Sequence, residues 1–411
     1  MTYRRAAIPV LVGGLLLLAL VWWAGASAPA LDLPGTTNVI SSPAVGELTR
    51  WLTPWSYDVP VSAQLGNEAF GGAGATASLD GLNYVKLHTT AQQIRYVALF
   101  VFFVVGALLL IRRLPPAKGR TTAALLAVWT WGLVAGMLAV TVSAPWMIAS
   151  GGHGSFRFLP ELSNIITTGR EVVLMAALVA AVATVLLARI AGAGPVRRRG
   201  HGQEREHKRE QEQWAEEQGQ LPSTAVPARA ARLAATVGTV VIALSLFVLS
   251  YTPVAAVIQS ISPRTGLVSE PGDLLRQWLL LGGWDWPGGG PLGEWLLYRA
   301  IDAVLLAVVW WSLRRLPGLL TRATVPAMAV TTVCATVLGL LVSQLLRMLI
   351  NAESLGGDPL RLVTGLGVGT PAALTCGLVA GIAAAVTLRT AGGRAARADA
   401  TPSAQDDPAC S

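Results

Sequence analysis

Apolar and polar residues are strongly segregated along this chain, because long apolar runs alternate with short stretches that carry most of the charge. Most of these runs approach the roughly 20 residues that an α-helix needs to cross a bilayer. The pattern predicts eight spanning helices, at 6–26, 96–111, 121–149, 172–188, 233–258, 295–313, 323–346 and 362–388. We therefore predict an all-α polytopic membrane protein with eight transmembrane helices.

The sixth run is the weakest of the eight, because Arg299 and Asp302 interrupt it. A repeated motif supports it. RRLPPAKGR at 112–120 recurs as RRLPGLLTR at 314–322, with five of nine positions identical, and a Tyr and Arg pair lies near the start of the run before each copy. The sixth run aligns without gaps on the second, so we expect both to cross the membrane.

The same alignment extends to the remaining runs and divides the chain into two tandem repeats of four helices. An even number of spans inserts both repeats in the same orientation, so they are parallel and related by an axis along the membrane normal. The predicted organisation is a first repeat at 1–194 with an outer loop at 27–94, a charged cytoplasmic linker at 195–232, a second repeat at 233–391 and a disordered cytoplasmic tail at 392–411.

The basic residues predict the orientation of these repeats. About two thirds of the 31 Lys and Arg residues fall on the side that holds both termini, the two RRLP loops and the linker. Basic residues concentrate on the cytoplasmic side, so we expect both termini in the cytoplasm of a multi-pass cell-membrane protein. As an alternative, residues 1–26 resemble a cleaved signal peptide; we favour a retained helix, because its counterpart near residue 233 is internal.

Composition agrees with this class and argues against several others. Hydrophobic residues make up 53% of the chain and charged residues 13%, against about 25% charged residues in soluble proteins. The net charge of +8 follows from the orientation rule, so we expect no nucleic-acid partner. The three cysteines do not form an exported disulfide framework. Because the chain has no phosphate-binding loop, dinucleotide-binding motif or zinc-protease motif, we expect no cofactor and no metal.

The first outer loop contains the most informative polar segment, RWLTPWSYDVP. It places Trp51, Trp55 and Tyr57 close together, and we interpret them as an aromatic cluster at the outer membrane interface. In the alternative interpretation they form a platform for a sugar or a lipid headgroup, with Asp58 as the catalytic base. The second outer loop, 259–294, is too short to span and predicts a helix in the outer interface, with a re-entrant segment as the alternative.

Two groups of charged residues suggest further contacts. Asp302 falls within a predicted span, where a charge is costly, and Arg299 lies three residues earlier on the same helical face. We expect these two residues to form either a structural ion pair or a substrate or proton site between the halves. On the inner side, the linker residues Arg197, Arg198 and Arg199 favour contact with anionic lipids, unless the linker is simply solvated.

Parallel repeats favour a transporter or permease-like subunit with a path at their interface. A further membrane subunit or an ATPase subunit would be a natural partner, besides the lipid bilayer itself. Two other functions remain open: an envelope enzyme that acts on a lipid-linked substrate through outer-loop carboxylates, and a non-catalytic scaffold subunit of an envelope complex. The lack of a catalytic motif makes the enzyme the less favoured hypothesis.

Overall fold

The structure, a computed structural model, describes residues 3–36, 40–58, 77–113, 120–150, 158–193, 228–260, 271–285, 292–319, 324–351 and 363–399. Within these ranges the longer regular elements are all helices, and the β-type pairing is confined to a single bridge between Tyr251 and Trp284. The predicted all-α class is therefore confirmed.

The described part of the chain contains twelve α-helices, besides short 3-10 helices at Ala28–Asp32 and Thr53–Trp55. In chain order they are α1 (Tyr3–Ala26), α2 (Ser42–Leu52), α3 (Ala77–Arg113), α4 (Thr121–Ser150), α5 (Phe158–Ile166), α6 (Arg170–Ala193), α7 (Ala228–Ala243), α8 (Thr252–Gln259), α9 (Pro271–Leu279), α10 (Leu292–Leu319), α11 (Val325–Ile350) and α12 (Thr370–Asp399). Eight of the described helical segments are long and apolar enough to cross a membrane, which confirms the predicted number. The weakest predicted span, α10, is one of them.

The fifth span ends earlier than the predicted limit of 258. After α7 the chain makes a π-helical turn over Leu244–Leu249, and Tyr251 is extended before α8 begins. The Trp284 amide donates to the Ser250 carbonyl at 3.0 Å, and the Thr252 amide donates to the Trp284 carbonyl at 2.9 Å. These bonds satisfy backbone groups that the broken helix leaves free. The apolar run at 233–258 is therefore a spanning helix followed by a short separate one.

The eighth helix starts at Thr370 and not at the predicted position 362, because two glycines precede it. Gly367 and Gly369 have φ of +80° and +84°, a left-handed conformation that L-residues with a Cβ avoid. At its other end α12 continues to Asp399, past the predicted limit of 388. The second helix also starts earlier than predicted: α3 begins at Ala77, and its candidate membrane span begins at Tyr84, both within the expected outer loop.

The eight long helices pack in two similar groups. In the N-terminal half, α1 contacts α3 and α6, α3 contacts α4, and α4 contacts α6; in the C-terminal half, α7 contacts α10 and α12, α10 contacts α11, and α11 contacts α12. The two groups meet where α4 packs against α11. These two central helices also have the largest buried share among the candidate spans. The hydrophobic core therefore continues from one half into the other.

The outer surface of the bundle is apolar as well. Trp23, Ile190 and Val240 are 68%, 69% and 63% exposed, and many other large apolar side chains face outward. A soluble monomer rarely exposes so much continuous apolar surface, whereas helices in a bilayer require it. An apolar interior and an apolar outer surface together agree with an integral membrane protein.

The two ends of the bundle differ. One end, called here the arginine end, carries Arg112, Arg113, Arg314 and Arg315 of the repeated motif. The opposite end, called the cap end, is covered by short helices: α9 packs on α5 and α12, and α2 packs on α6. The helix predicted within loop 259–294 is α9, and it packs against both halves.

Candidate functional site

A cavity of about 330 Å³ lies at the cap end, between the two halves of the chain. Both halves contribute to its wall. The first half contributes Trp55, Val140, Arg170 and Val173, and the second half contributes Leu280, Gly283 and Thr370. Its size falls within the range of small-molecule sites, and its lining combines apolar side chains with a few polar groups, as such sites do.

Two helix starts form part of this wall, because Arg170 begins α6 and Thr370 begins α12. Each helix follows a glycine with positive φ, Gly169 at +68° and Gly369 at +84°. The amide groups in the first turn of a helix have no partner within the helix, and they carry a partial positive charge. Both turns therefore contribute positive potential to the same cavity.

Arg170 connects the two halves at the edge of the cavity. Its Nη2 donates to the carbonyl of Thr364 in the second half at 2.9 Å, and its Nε lies 3.2 Å from Oε1 of the buried Glu171. The Thr364 hydroxyl in turn lies 3.5 Å from the Glu47 carboxylate of α2. These contacts hold one guanidinium at the wall of the cavity and join α2, α6 and the segment before α12.

A second cavity, of about 420 Å³, adjoins the first and shares Leu281, Gly282 and Val368 with it. Its polar wall contains Asp302 of α10, which is only 2% exposed. Arg299 Nη1 lies 2.9 Å from Oδ2 of this carboxylate, and Nη2 of Arg347 in α11 binds Oδ1. One carboxylate thus holds two guanidinium groups, and this triad keeps a net positive charge.

Aromatic rings position both arginines of the triad. The Arg299 guanidinium lies 5.3 Å from the centre of the Trp284 ring, and that of Arg347 lies 5.8 Å from the centre of the Tyr298 ring. Both Nε atoms are buried without a hydrogen-bond partner. Of the two arginines only Arg347 lines the second cavity, and its unsatisfied Nε favours an anionic group there, because unsatisfied buried donors are costly.

The predicted aromatic cluster lies beside these cavities, but it is mostly inside the bundle. Trp55 is fully buried, its Nε1 donates to the Gly169 carbonyl at 2.7 Å, and its ring forms part of the first cavity wall. Trp51 is also buried, while Tyr57 stacks on Tyr96 with ring centres 5.4 Å apart. Burial raises the pKa of the Tyr57 phenol. The two tryptophans therefore pack the cap onto the helices, whereas Tyr57 is exposed, and the interface and platform interpretations of the cluster stay predictions.

The predicted catalytic candidate, Asp58, lies apart from the site. Its side chain is exposed and accepts a hydrogen bond from the Ser56 hydroxyl at 3.2 Å. It does not belong to the wall of either cap-end cavity. Its catalytic role therefore stays a prediction.

Two arginines in these surroundings were not singled out from the sequence. Arg95 is 1% exposed, donates to the Pro54 carbonyl and to the Ser143 hydroxyl, and lies 5.5 Å from the Trp55 ring centre. Arg347 binds Asp302 from another helix. Arg95 lies within α3 and Arg347 lies near the end of α11, and an arginine within an otherwise apolar helix is a usable signal for a buried polar contact.

Other predicted contacts lie outside the described residues: Arg197, Arg198 and Arg199, together with the rest of 194–227. Among the residues that the structure does describe, no group of three or more His, Cys, Asp or Glu side chains is arranged to hold a metal ion. Comparison with protein families, with curated proteins and with solved structures finds no match to this chain. The assignment of a function therefore depends on the geometry of the bundle and its cavities.

Proposed function

We propose that the chain consists of two tandem, parallel four-helix units that bind an anionic, partly apolar solute between them, as a transporter or permease-like membrane subunit. The proposal has two parts, the duplication and the site. The observation that carries it is the cavity at the cap end, because residues of both halves line it.

The buried faces of the second and sixth spans support the duplication. The RRLP motifs are 202 positions apart, and the same offset relates residues that are less than 5% exposed. These are Leu99, Phe103, Ala107 and Ile111 in α3, and Ile301, Leu305, Val309 and Leu313 in α10. A shared four-residue spacing at the offset of the motif means that the two helices turn equivalent faces toward their bundles.

Close helix contacts support the same conclusion for the first and fourth helix of each half. A Cβ at Gly13 would lie 3.4 Å from the Ala180 carbonyl oxygen, and a Cβ at Gly238 would lie 3.3 Å from the Ala380 carbonyl oxygen. In sequence, Gly13 aligns with Gly238, and Ala180 and Ala380 are 200 positions apart. The small residues therefore bring equivalent pairs of helices together at equivalent heights.

The third and fourth helices of each half also pack together through a glycine, but the glycine lies on the third helix in the first half and on the fourth helix in the second. Gly132 of α4 packs on Ala177 of α6, whereas Gly377 of α12 packs on Val333 of α11. Residues 177 and 377 have the same offset of 200 positions. The contact is retained although the glycine is contributed by the opposite partner.

The site part of the proposal follows from charge and shape. Arg170, the two helix starts and the triad around Asp302 supply positive potential, while Val140, Val173 and Leu280 supply apolar wall. An anion with an apolar group satisfies both. In the membrane, two parallel units with a site between them are the arrangement from which alternating access is built. The basic bias supports a cytoplasmic arginine end, which in this proposal turns the cap-end site toward the exterior.

Flux measurements on the full chain in lipid vesicles test the proposal. A suitable panel is a set of small carboxylates and phosphate monoesters with apolar groups, each compared with its neutral amide or alcohol. We expect at least one anion to cross faster than in protein-free vesicles. Gly283→Phe should lower this flux by at least about tenfold, because filling the site costs more than about 1.4 kcal/mol of binding free energy. A Cβ at Gly283 meets no atom within 4 Å, so the ring can enter the cavity.

Gly293→Phe is the matched control, because a Cβ at this position in the first turn of α10 also meets no atom within 4 Å and the residue does not line the cavity. Circular dichroism and size-exclusion chromatography check that both variants are folded. The proposal is wrong if no anion crosses faster than in protein-free vesicles, or if Gly283→Phe and Gly293→Phe transport equally well.

A further inference from the structure

An apolar groove of about 770 Å³ runs along the side of the bundle, between α4 of the first half and α10 and α11 of the second. Trp129, Trp310 and Trp311 stand at its walls. A smaller cavity of about 140 Å³ continues it toward the arginine end, sharing Leu126 and Leu338 with it. The combined groove is therefore open to the bilayer and leads to the basic end of the protein.

At the groove the packing of the two halves differs. The second span, α3, packs directly against the central helix of the other half, α11. Its counterpart α10 stands off the central helix α4, and the groove fills the space between them. Nothing in the repeated packing requires this gap, and a groove lined by hydrocarbon is stable only when apolar groups occupy it.

The length of the groove corresponds to one leaflet. Along α10 its lining extends from Val304 to Arg315, which at 1.5 Å per residue is about 17 Å, against about 15 Å for half of a 30 Å hydrocarbon core. An acyl chain from the leaflet at the arginine end therefore fits along it from end to end. A polar solute does not fit, because the lining offers it almost no hydrogen-bond partners.

The end of the groove carries positive charge at the level of the lipid headgroups. Arg315 lines the smaller cavity, is exposed, and holds its guanidinium 5.2 Å from the centre of the Trp311 ring. Arg314 is placed in the same way over Trp310, also at 5.2 Å. Stacking on a ring fixes each cation near the mouth of the groove, and a cation at this level attracts anionic headgroups.

We infer that this groove binds one anionic phospholipid of the leaflet at the arginine end, with an acyl chain between α4 and α10 and the phosphate at Arg315. This inference concerns a different site from the cap-end cavity and does not depend on transport. It also differs from the predicted lipid contact of the linker arginines, because an apolar groove and a cation act on the same lipid molecule.

Fluorescence quenching on the full chain in detergent tests the inference. Phosphatidylglycerol and phosphatidylcholine with the same brominated acyl chains are titrated separately, since bromine quenches a tryptophan that it contacts. We expect saturable quenching, with a Kd for phosphatidylglycerol at least about fivefold below that for phosphatidylcholine. Arg315→Gln should raise the Kd for phosphatidylglycerol about fivefold and leave that for phosphatidylcholine unchanged, while Arg113→Gln, at the aligned position of the first half, should change neither.

A steric variant locates the bound chain. Ala307 is exposed and lines the groove, so Ala307→Phe should abolish the saturable quenching; Ala303→Phe, one turn away on the same helix and outside the lining, should retain it. Equal Kd values for the two lipids would mean that the groove contacts lipids without preference for an anionic headgroup, and this would overturn the inference. It is equally overturned if both phenylalanine variants bind alike, or if the chain is a dimer that Ala307→Phe dissociates.

Discussion

Replacing Asp302 by Asn tests the most unusual charge arrangement in the molecule. The carboxylate is 2% exposed and is bound by Arg299 and Arg347, whose side chains are 16% and 35% exposed. Removing one partner from a buried ion pair costs about 3–5 kcal/mol, because the remaining charge is left uncompensated. We expect about 3 kcal/mol, near the lower limit of that range, since Arg347 can turn toward solvent and the amide still accepts a hydrogen bond.

The reverse substitutions should be much milder. Arg347→Gln leaves Asp302 paired with Arg299, so its cost should not exceed about 1 kcal/mol. In the Asp302→Asn background, Arg299→Gln should restore about 1–2 kcal/mol, because it removes the more buried of two uncompensated cations. Arg347→Gln should restore less, because that side chain is closer to solvent.

The free energy of unfolding is measured by SDS titration of the purified chain in a mild detergent, followed by circular dichroism. Asp273→Asn is the control at the same end of the bundle: this carboxylate is exposed and accepts a hydrogen bond from Gln259, so its loss should stay within about 0.5 kcal/mol. The reasoning fails if Asp302→Asn is no more destabilising than Asp273→Asn. Flux then separates the roles: an Asp302→Asn, Arg299→Gln variant with restored stability and normal flux would make the triad purely structural.

Three further predictions concern the cap and the topology. Gly169→Ala should lower the free energy of unfolding by about 2 kcal/mol, because φ at this residue is +68° and a Cβ would lie 2.6 Å from Trp55 Nε1. The control is Gly46→Ala, where a Cβ meets no atom within 4 Å. It should leave the free energy of unfolding unchanged or raise it in the same titration. Trp55→Phe should cost about 1–3 kcal/mol, because the Gly169 carbonyl loses its buried donor. Reporter fusions should give one signal at positions 118, 210, 318 and 400 and the opposite signal at 60, 155, 270 and 355; a fusion at 318 that agrees with 355 would contradict the eight-span orientation.

Part of the candidate site was accessible from the sequence. Asp302 and Arg299 stood out because charges interrupt an apolar run, and the structure places them in contact at 2.9 Å. Arg347, the second partner, was not identified, because it comes from another helix 45 positions later. The wall of the cap-end cavity was missed for the same reason: most of its residues are apolar or glycine and differ from ordinary core residues only in where the helices bring them.

The sequence by itself determined the all-α class and the number of apolar helices able to cross a membrane, because the free energy of placing a helix in a bilayer depends mainly on the composition of its own 20 or so residues. It also contains the RRLP repeat, which motivates the proposed duplication. The tertiary structure decided where α7 breaks, that Trp55 is buried, that one carboxylate holds two arginines, and that a cavity and a groove lie between the halves. Each of these depends on contacts between helices far apart in the chain, where close packing of side chains selects the partner and no local pattern records the choice.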